Sequence, residues 1–133
     1  MKGFAMKLEK IHHVAIICSD YEKSKDFYVN VLGLSVVKET YRAKRNSYKL
    51  DLAVGGEYQI ELFSFPNPPQ RPNMPEAAGL RHLAFAVKDM DSAVAELKSK
   101  NIEVETIRRD DLTSKRYTFF KDPDGLPIEL YEM

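Results

Sequence analysis

Two histidines and two glutamates recur at matched positions in this chain. The segment His13-Val-Ala-Ile-Ile-Cys-Ser-Asp20 is echoed by His82-Leu-Ala-Phe-Ala-Val-Lys-Asp89, with the His, Ala and Asp coinciding at an offset of 69. Gln59-Ile-Glu61-Leu-Phe63 is echoed by Pro127-Ile-Glu129-Leu-Tyr131 at an offset of 68. Two separated blocks that share nearly one offset mark an internal duplication. Neutral imidazole nitrogen and carboxylate oxygen are donors for a divalent metal ion. His13, Glu61, His82 and Glu129 are therefore candidate ligands, one His and one Glu from each half. Singly, each has an ordinary explanation, since a buried His is usually hydrogen-bonded core and an Ile-Glu-Leu triplet is common in strands. Their equivalence under the repeat singles them out.

The elements that must position these residues also come in two copies. Residues 11–18 and 81–87 are short β-branched or aromatic runs, read as strands. A helix start follows each: Ser19-x-x-Glu22 has the form of a capping box, and Asp89 occupies the equivalent entry. Ser24, Phe27, Tyr28 and Val31 form one helical stripe, and Met90, Ala93, Val94 and Leu97 another. The helices are expected to stop before Gly33 and near Asn101. Three strands then follow in each half, at 34–42, 47–54 and 58–65 and at 102–108, 115–121 and 127–132. Gly55-Gly56 and Asp122-Pro-Asp-Gly125 supply the last turns. Pro66–Pro75 holds five prolines in ten residues, which forbids helix and central strand. The expected organisation is a single α+β domain over 1–133, with module one at about 9–65, a linker at 66–78 and module two at about 79–133.

Strand alternation assigns faces. Ile60 and Leu62 flank Glu61, as Ile128 and Leu130 flank Glu129, so both carboxylates point away from the helices. His13 shares its face with Ile11, Ala15 and Ile17, and His82 with Leu80, Ala84 and Ala86. The four candidates are thus expected mid-strand, among small or apolar neighbours. A carboxylate there is expensive unless paired or bound to a cation. His12 falls on the opposite face with Arg81 as its repeat partner, and both are expected to be structural or surface residues.

Composition bounds the rest. Twenty Lys and Arg balance 20 Asp and Glu, which argues against nucleic acid as the main partner. The single cysteine, Cys18, excludes an intrachain disulfide and fits a reducing compartment. Met1–Met6 lacks a signal-peptide core and no apolar run approaches a membrane span, so a cytoplasmic location without membrane association is expected. Arg42, Lys44, Arg45, Lys49, Lys115 and Arg116 are candidates to hold a substrate carboxylate or phosphate, or equally solvated strand edges.

Ile11-His-His-Val-Ala-Ile16, Phe27-Tyr28 before Leu32-Gly33, Leu80-Arg-His-Leu-Ala-Phe85 and Asp122-Pro-Asp-Gly-Leu-Pro-Ile-Glu-Leu130 together resemble the vicinal oxygen chelate superfamily, and within it the glyoxalase I group. The resemblance spans essentially the whole chain. It implies two βαβββ modules forming a cupped mixed sheet with helices on the outer face, and one metal ion held by His13, Glu61, His82 and Glu129. It implies a lactoylglutathione lyase-like isomerisation of a 2-oxoaldehyde hemithioacetal, through an enediolate stabilised by the metal. Glu129 would be the base and Glu61 its symmetry mate. The His-Glu-His-Glu set points to nickel first, zinc or cobalt next, and no organic cofactor. The expected partners are a small-molecule substrate, with a thiol adduct in view, and a second copy of the chain. Other chemistries on this scaffold are an epimerase, a dioxygenase, a thiol transferase and a metal-free resistance protein; the intact quartet disfavours the last.

Overall fold

The computed structural model describes Gly3 and residues 5–133. Module one runs β1 (Val14–Cys18), α1 (Tyr21–Asp26), β2 (Ser35–Arg42), β3 (Ser47–Val54) and β4 (Glu57–Ser64). Module two repeats the order with β5 (Leu83–Val87), α2 (Met90–Ser99), β6 (Arg108–Arg109), β7 (Arg116–Lys121) and β8 (Pro127–Glu132). Each module builds one four-stranded mixed sheet, ordered β1-β4-β3-β2 and β5-β8-β7-β6. The first strand of each runs parallel to the last, as the intervening helix requires, and the remaining neighbours are antiparallel. This is the α+β fold of two βαβββ modules.

The repeat extends to the helix entries, with one correction. Asp20, not Ser19, caps α1, its carboxylate accepting the Lys23 N–H at 3.2 Å. Asp89 does the same for α2 at the Ser92 N–H, 3.0 Å. Ser19 instead reaches module two, where its N–H and hydroxyl donate to Asp124 in the β7–β8 turn. The expected capping box fails because a tertiary acceptor competes for Ser19. After α1 the chain widens into one π-helical turn, Phe27–Val31, with the Leu32 N–H on the Phe27 carbonyl. Gly33 follows at φ +77°, a left-handed conformation that suits glycine.

The strand expected over 102–108 is the second correction, since only Arg108–Arg109 joins the sheet as a ladder. Upstream, the Glu105 N–H bonds to the Phe119 carbonyl, but the Glu105 carbonyl accepts the buried Thr118 hydroxyl at 2.7 Å. A side chain thus takes a place the ladder would have filled.

The two modules share one apolar core. Tyr28, Leu50, Leu52, Leu62, Met90 and Ile128 are fully enclosed, and Phe27 packs on Phe120 across the boundary at 6.2 Å. The Tyr28 hydroxyl crosses to Asp122 at 2.7 Å, whose carboxyl burial pushes above its ordinary value. No helix among the described residues is long and apolar enough to cross a membrane. β1 and β5 remain sheet edges within the chain.

Candidate metal centre

β4 places Glu61 between Ala15 of β1 and Asp51 of β3. Ile60 and Leu62 are buried toward the helix layer, so alternation turns Glu61 the other way, yet it is only 7% exposed. A carboxylate so enclosed needs partners. The Tyr58 hydroxyl donates to its Oε2, Lys49 Nζ lies 3.6 Å from the same oxygen, and His13 Nε2 lies 3.5 Å from it. Lys49 also binds Asp51 at 2.7 Å, and that hydrogen bond holds its ammonium above the usual value.

The equivalent pair in module two is more sparsely supported. Glu129 lies on β8 between Ala84 and Phe119, and its Oε1 is 3.3 Å from His82 Nε2. Phe119, where module one has Asp51, offers no polar atom and packs its ring against His82 at 5.1 Å. Among the described residues His82 is the one ion-pair or hydrogen-bond partner of Glu129. Glu61 is therefore clamped, while Glu129 is held only by its histidine.

The donor set fits a divalent ion. Two ligands at about 2.1 Å from one ion, at tetrahedral or octahedral angles, are separated by roughly 3.0–3.4 Å. Of the observed nitrogen–oxygen separations, 3.3 Å in module two lies within that range and 3.5 Å in module one just above it. Each half thus presents two donors at nearly the spacing a shared ion would set.

Both histidines sit one residue before their strands, which begin at Val14 and Leu83, rather than mid-strand as expected. Alternation is not enforced there, and their neighbours do not turn away. His12 Nδ1 lies 2.8 Å from His13 Nδ1, and Arg81 Nη1 lies 3.2 Å from His82 Nδ1. In both modules the preceding residue engages Nδ1 and leaves Nε2 facing the carboxylate. His12 and Arg81 are exposed, as expected, and each also contacts the Nδ1 of the histidine that follows it.

Tyr58 was the other residue that the sequence concealed. Simple alternation puts it with Ile60 and Leu62. A β-bulge in the β3–β4 pairing, after Leu52↔Ile60 and before Ala53↔Tyr58, re-aims it onto the Glu61 face. Of the basic candidates, Lys49 enters the site, and Arg116 is spent on Asp91 and Glu132. Lys44 and Lys115 are exposed. Arg42 and Arg45 stack on aromatic rings.

The two pairs do not meet within the chain. Among the described residues no three His, Cys, Asp or Glu side chains come close enough to share an ion. The structure joins His13 to Glu61 and His82 to Glu129, and keeps the pairs apart.

A model of the Glyoxalase/Bleomycin resistance protein/Dioxygenase superfamily matches residues 10–130. The Bacillus subtilis protein YwkD, of uncharacterized function, is 67% identical over 127 residues, covering 96% of this chain and 99% of that one. Escherichia coli YaeR, likewise uncharacterized, is 61% identical over 125 residues, covering 94% and 97%. The crystal structure of a glyoxalase family protein from Enterococcus faecalis superposes with a TM-score of 0.87 at 49% identity, covering 96% of this chain and 100% of that one. More distant relatives, at 25–29% identity, are named as an Actinomyces 2-epi-5-epi-valiolone epimerase, a Rhodococcus biphenyl-2,3-diol 1,2-dioxygenase and an Arabidopsis glyoxylase I.

Proposed function

Because the chain belongs to the Glyoxalase/Bleomycin resistance protein/Dioxygenase superfamily, we propose that it is a metal-dependent, glyoxalase I-like isomerase acting on the thiol adduct of a 2-oxoaldehyde. The observation that carries this reading is the pair of repeat-equivalent His–Glu couples, each with donors spaced close to what one ion requires. His13, Glu61, His82 and Glu129 would hold the ion, with nickel the first choice and zinc or cobalt next. Bound there, a divalent cation supplies Lewis-acid polarisation of the substrate carbonyl.

The chain's own residues supply the proton transfer. Glu129, with one partner, is the carboxylate that has the freedom to leave His82 and take a proton from the carbon bearing sulfur and hydroxyl. It returns that proton to the neighbouring carbonyl carbon, while the hydroxyl proton passes from the first oxygen to the second, so the adduct is isomerised with no net loss of atoms. Glu61 is tied by Tyr58 and Lys49 and keeps its place through the reaction, facing the opposite side of the substrate. A cavity of about 270 Å³ is lined by Arg81 and Phe119, the chain neighbour of His82 and the strand neighbour of Glu129, together with Arg71 and Met74; His82 and Glu129 themselves do not line it.

A second copy of the chain completes the site in this reading. The accessible surface is 9448 Å², against about 7,100 Å² expected for a compact monomer of 15.3 kDa. The exposed residues 5–12 contribute part of the excess. Another part lies on the ligand-bearing faces of the edge strands, where Ala15, Ile17, Ala84 and Ala86 are exposed. A two-fold dimer setting β1 of one copy beside β5 of the other covers these residues. It also brings the His13–Glu61 pair of one chain to the partner's second pair, giving two identical sites.

The test is metal-stripped protein reloaded with nickel, cobalt, zinc or manganese and assayed on methylglyoxal with several low-molecular-weight thiols. The reading expects turnover with at least one metal, and a Glu129→Gln variant that keeps its metal and loses turnover. Full activity in Glu129→Gln would refute the assigned base, and no turnover under any combination would refute the substrate class.

A further inference from the structure

At the far end of the module-one sheet, two guanidinium groups gather on two phenylalanine rings. Arg42 ends β2 and Arg45 closes the 3-10 turn Ala43–Arg45 that follows it. The Arg42 guanidinium lies 4.9 Å from the Phe63 ring centre and 5.7 Å from that of Phe65, and Arg45 lies 5.1 Å from the Phe65 centre. Arg42 donates one hydrogen bond, from Nη2 to the buried Ser47 hydroxyl at 3.0 Å. Its Nε is buried with no acceptor in reach. Among the described residues neither Arg42 nor Arg45 has a carboxylate within ion-pair distance.

This arrangement is unusual on two counts. Buried N–H groups are nearly always paired, and like charges are not normally drawn onto one ring without an anion between or beside them. Cation–π contact offsets part of the desolvation of each guanidinium, but it supplies no acceptor and no counter-charge. By contrast, Lys49 is paired with Asp51 and Glu61, and Arg116 with Asp91 and Glu132.

The position is also informative. Phe63 follows Glu61 by two residues on β4, on the same face, so the ring stands about 6.6 Å along the strand from the proposed metal ligand. We propose that Arg42 and Arg45 form an anion subsite of the reaction centre, receiving a carboxylate or phosphate of the substrate. The planar guanidinium of Arg42, stacked on Phe63 and fixed by Ser47, presents its remaining N–H groups to the anion, and Arg45 adds the second positive charge. The substrate class this implies carries an anionic oxygen group set off from the Glu61 end of the site by roughly the two-residue strand spacing, about 6.6 Å. The inference rests on the reading of Glu61 as a metal ligand for its place in the reaction, but not for the binding itself.

The experiment therefore uses metal-free, ¹⁵N-labelled full-length chain. The arginine Nε–H signals are followed by NMR while inorganic phosphate or succinate is added at constant ionic strength with chloride. The expected result is a saturable shift of the Arg42 signal with one of the two. Response to phosphate alone assigns a phosphoryl group, and response to succinate alone a carboxylate. Binding should weaken by about tenfold or more in Arg42→Lys, which keeps the charge and loses the fork, and in Arg45→Gln, whose parent side chain is exposed. Absence of a saturable shift with either anion overturns the proposal, as does unchanged affinity in both variants. Failure of the metal reading alone would leave these shifts intact, so the two can be told apart.

Discussion

A site divided between two chains predicts a specific outcome when crippled chains are mixed. One variant loses the first pair (His13→Ala with Glu61→Gln), and the other loses the second (His82→Ala with Glu129→Gln). Alone, each leaves every site of its homodimer with half its ligands. In a mixed dimer, one site combines both damaged pairs and is empty, while the other combines both intact pairs and is whole. Random reassociation of equal amounts makes about half of all dimers mixed, each with one working site of two, so metal content and turnover recover to about one quarter of the wild-type value per chain. The separation of the pairs within one chain is what sets that fraction. The assay is unfolding of the mixture, refolding together, and measurement of bound metal and rate against each variant refolded alone. A mixture that stays as inert as its components would refute the shared site. Recovery of turnover without recovery of bound metal would refute the ligand assignment.

Two further outcomes follow from the fold. Tyr28→Phe removes the hydroxyl that crosses to Asp122, leaving that buried carboxyl with the backbone N–H groups of Asp124 and Leu126. The cost is about 1–3 kcal/mol, read by calorimetry as a Tm lower by roughly 3–10 °C; an unchanged Tm would contradict the role of this bond. The Asp89 carboxyl is held below its usual value, first by the Ser92 backbone N–H. Its contribution is therefore present above the ordinary carboxylate value and lost as pH falls through the lowered one. The Tm gap between wild type and Asp89→Ala is expected in full at neutral pH and should narrow as pH falls below the ordinary carboxylate value, whereas a constant gap would show that the cap does not act through charge.

Much of this molecule was legible because it is written twice. The repeat paired Glu61 with Glu129 and His13 with His82 before any geometry was known. The alternation of Ile60 and Leu62 around Glu61 correctly gave the face on which the carboxylate lies. Where the reading failed, a nonlocal contact had overridden a local rule. Ser19 was drawn from its cap by Asp124, and the Glu105 carbonyl was taken by Thr118. His12 and Arg81 are surface residues as expected, but alternation does not extend one residue beyond the strands, and each touches the histidine next to it. Tyr58 was hidden by a bulge that no pattern of residue types announces. The separation of the two pairs was equally invisible, because a repeat fixes which positions correspond and not which surfaces meet.

The most direct test of the account is the metal itself. Purified protein equilibrated with nickel, zinc or cobalt and freed of excess should retain about one ion per chain. That retention should fall sharply on replacing any one of His13, Glu61, His82 or Glu129 by alanine. Retention of no divalent ion by the wild type, or equal retention by all four variants, would contradict the central claim.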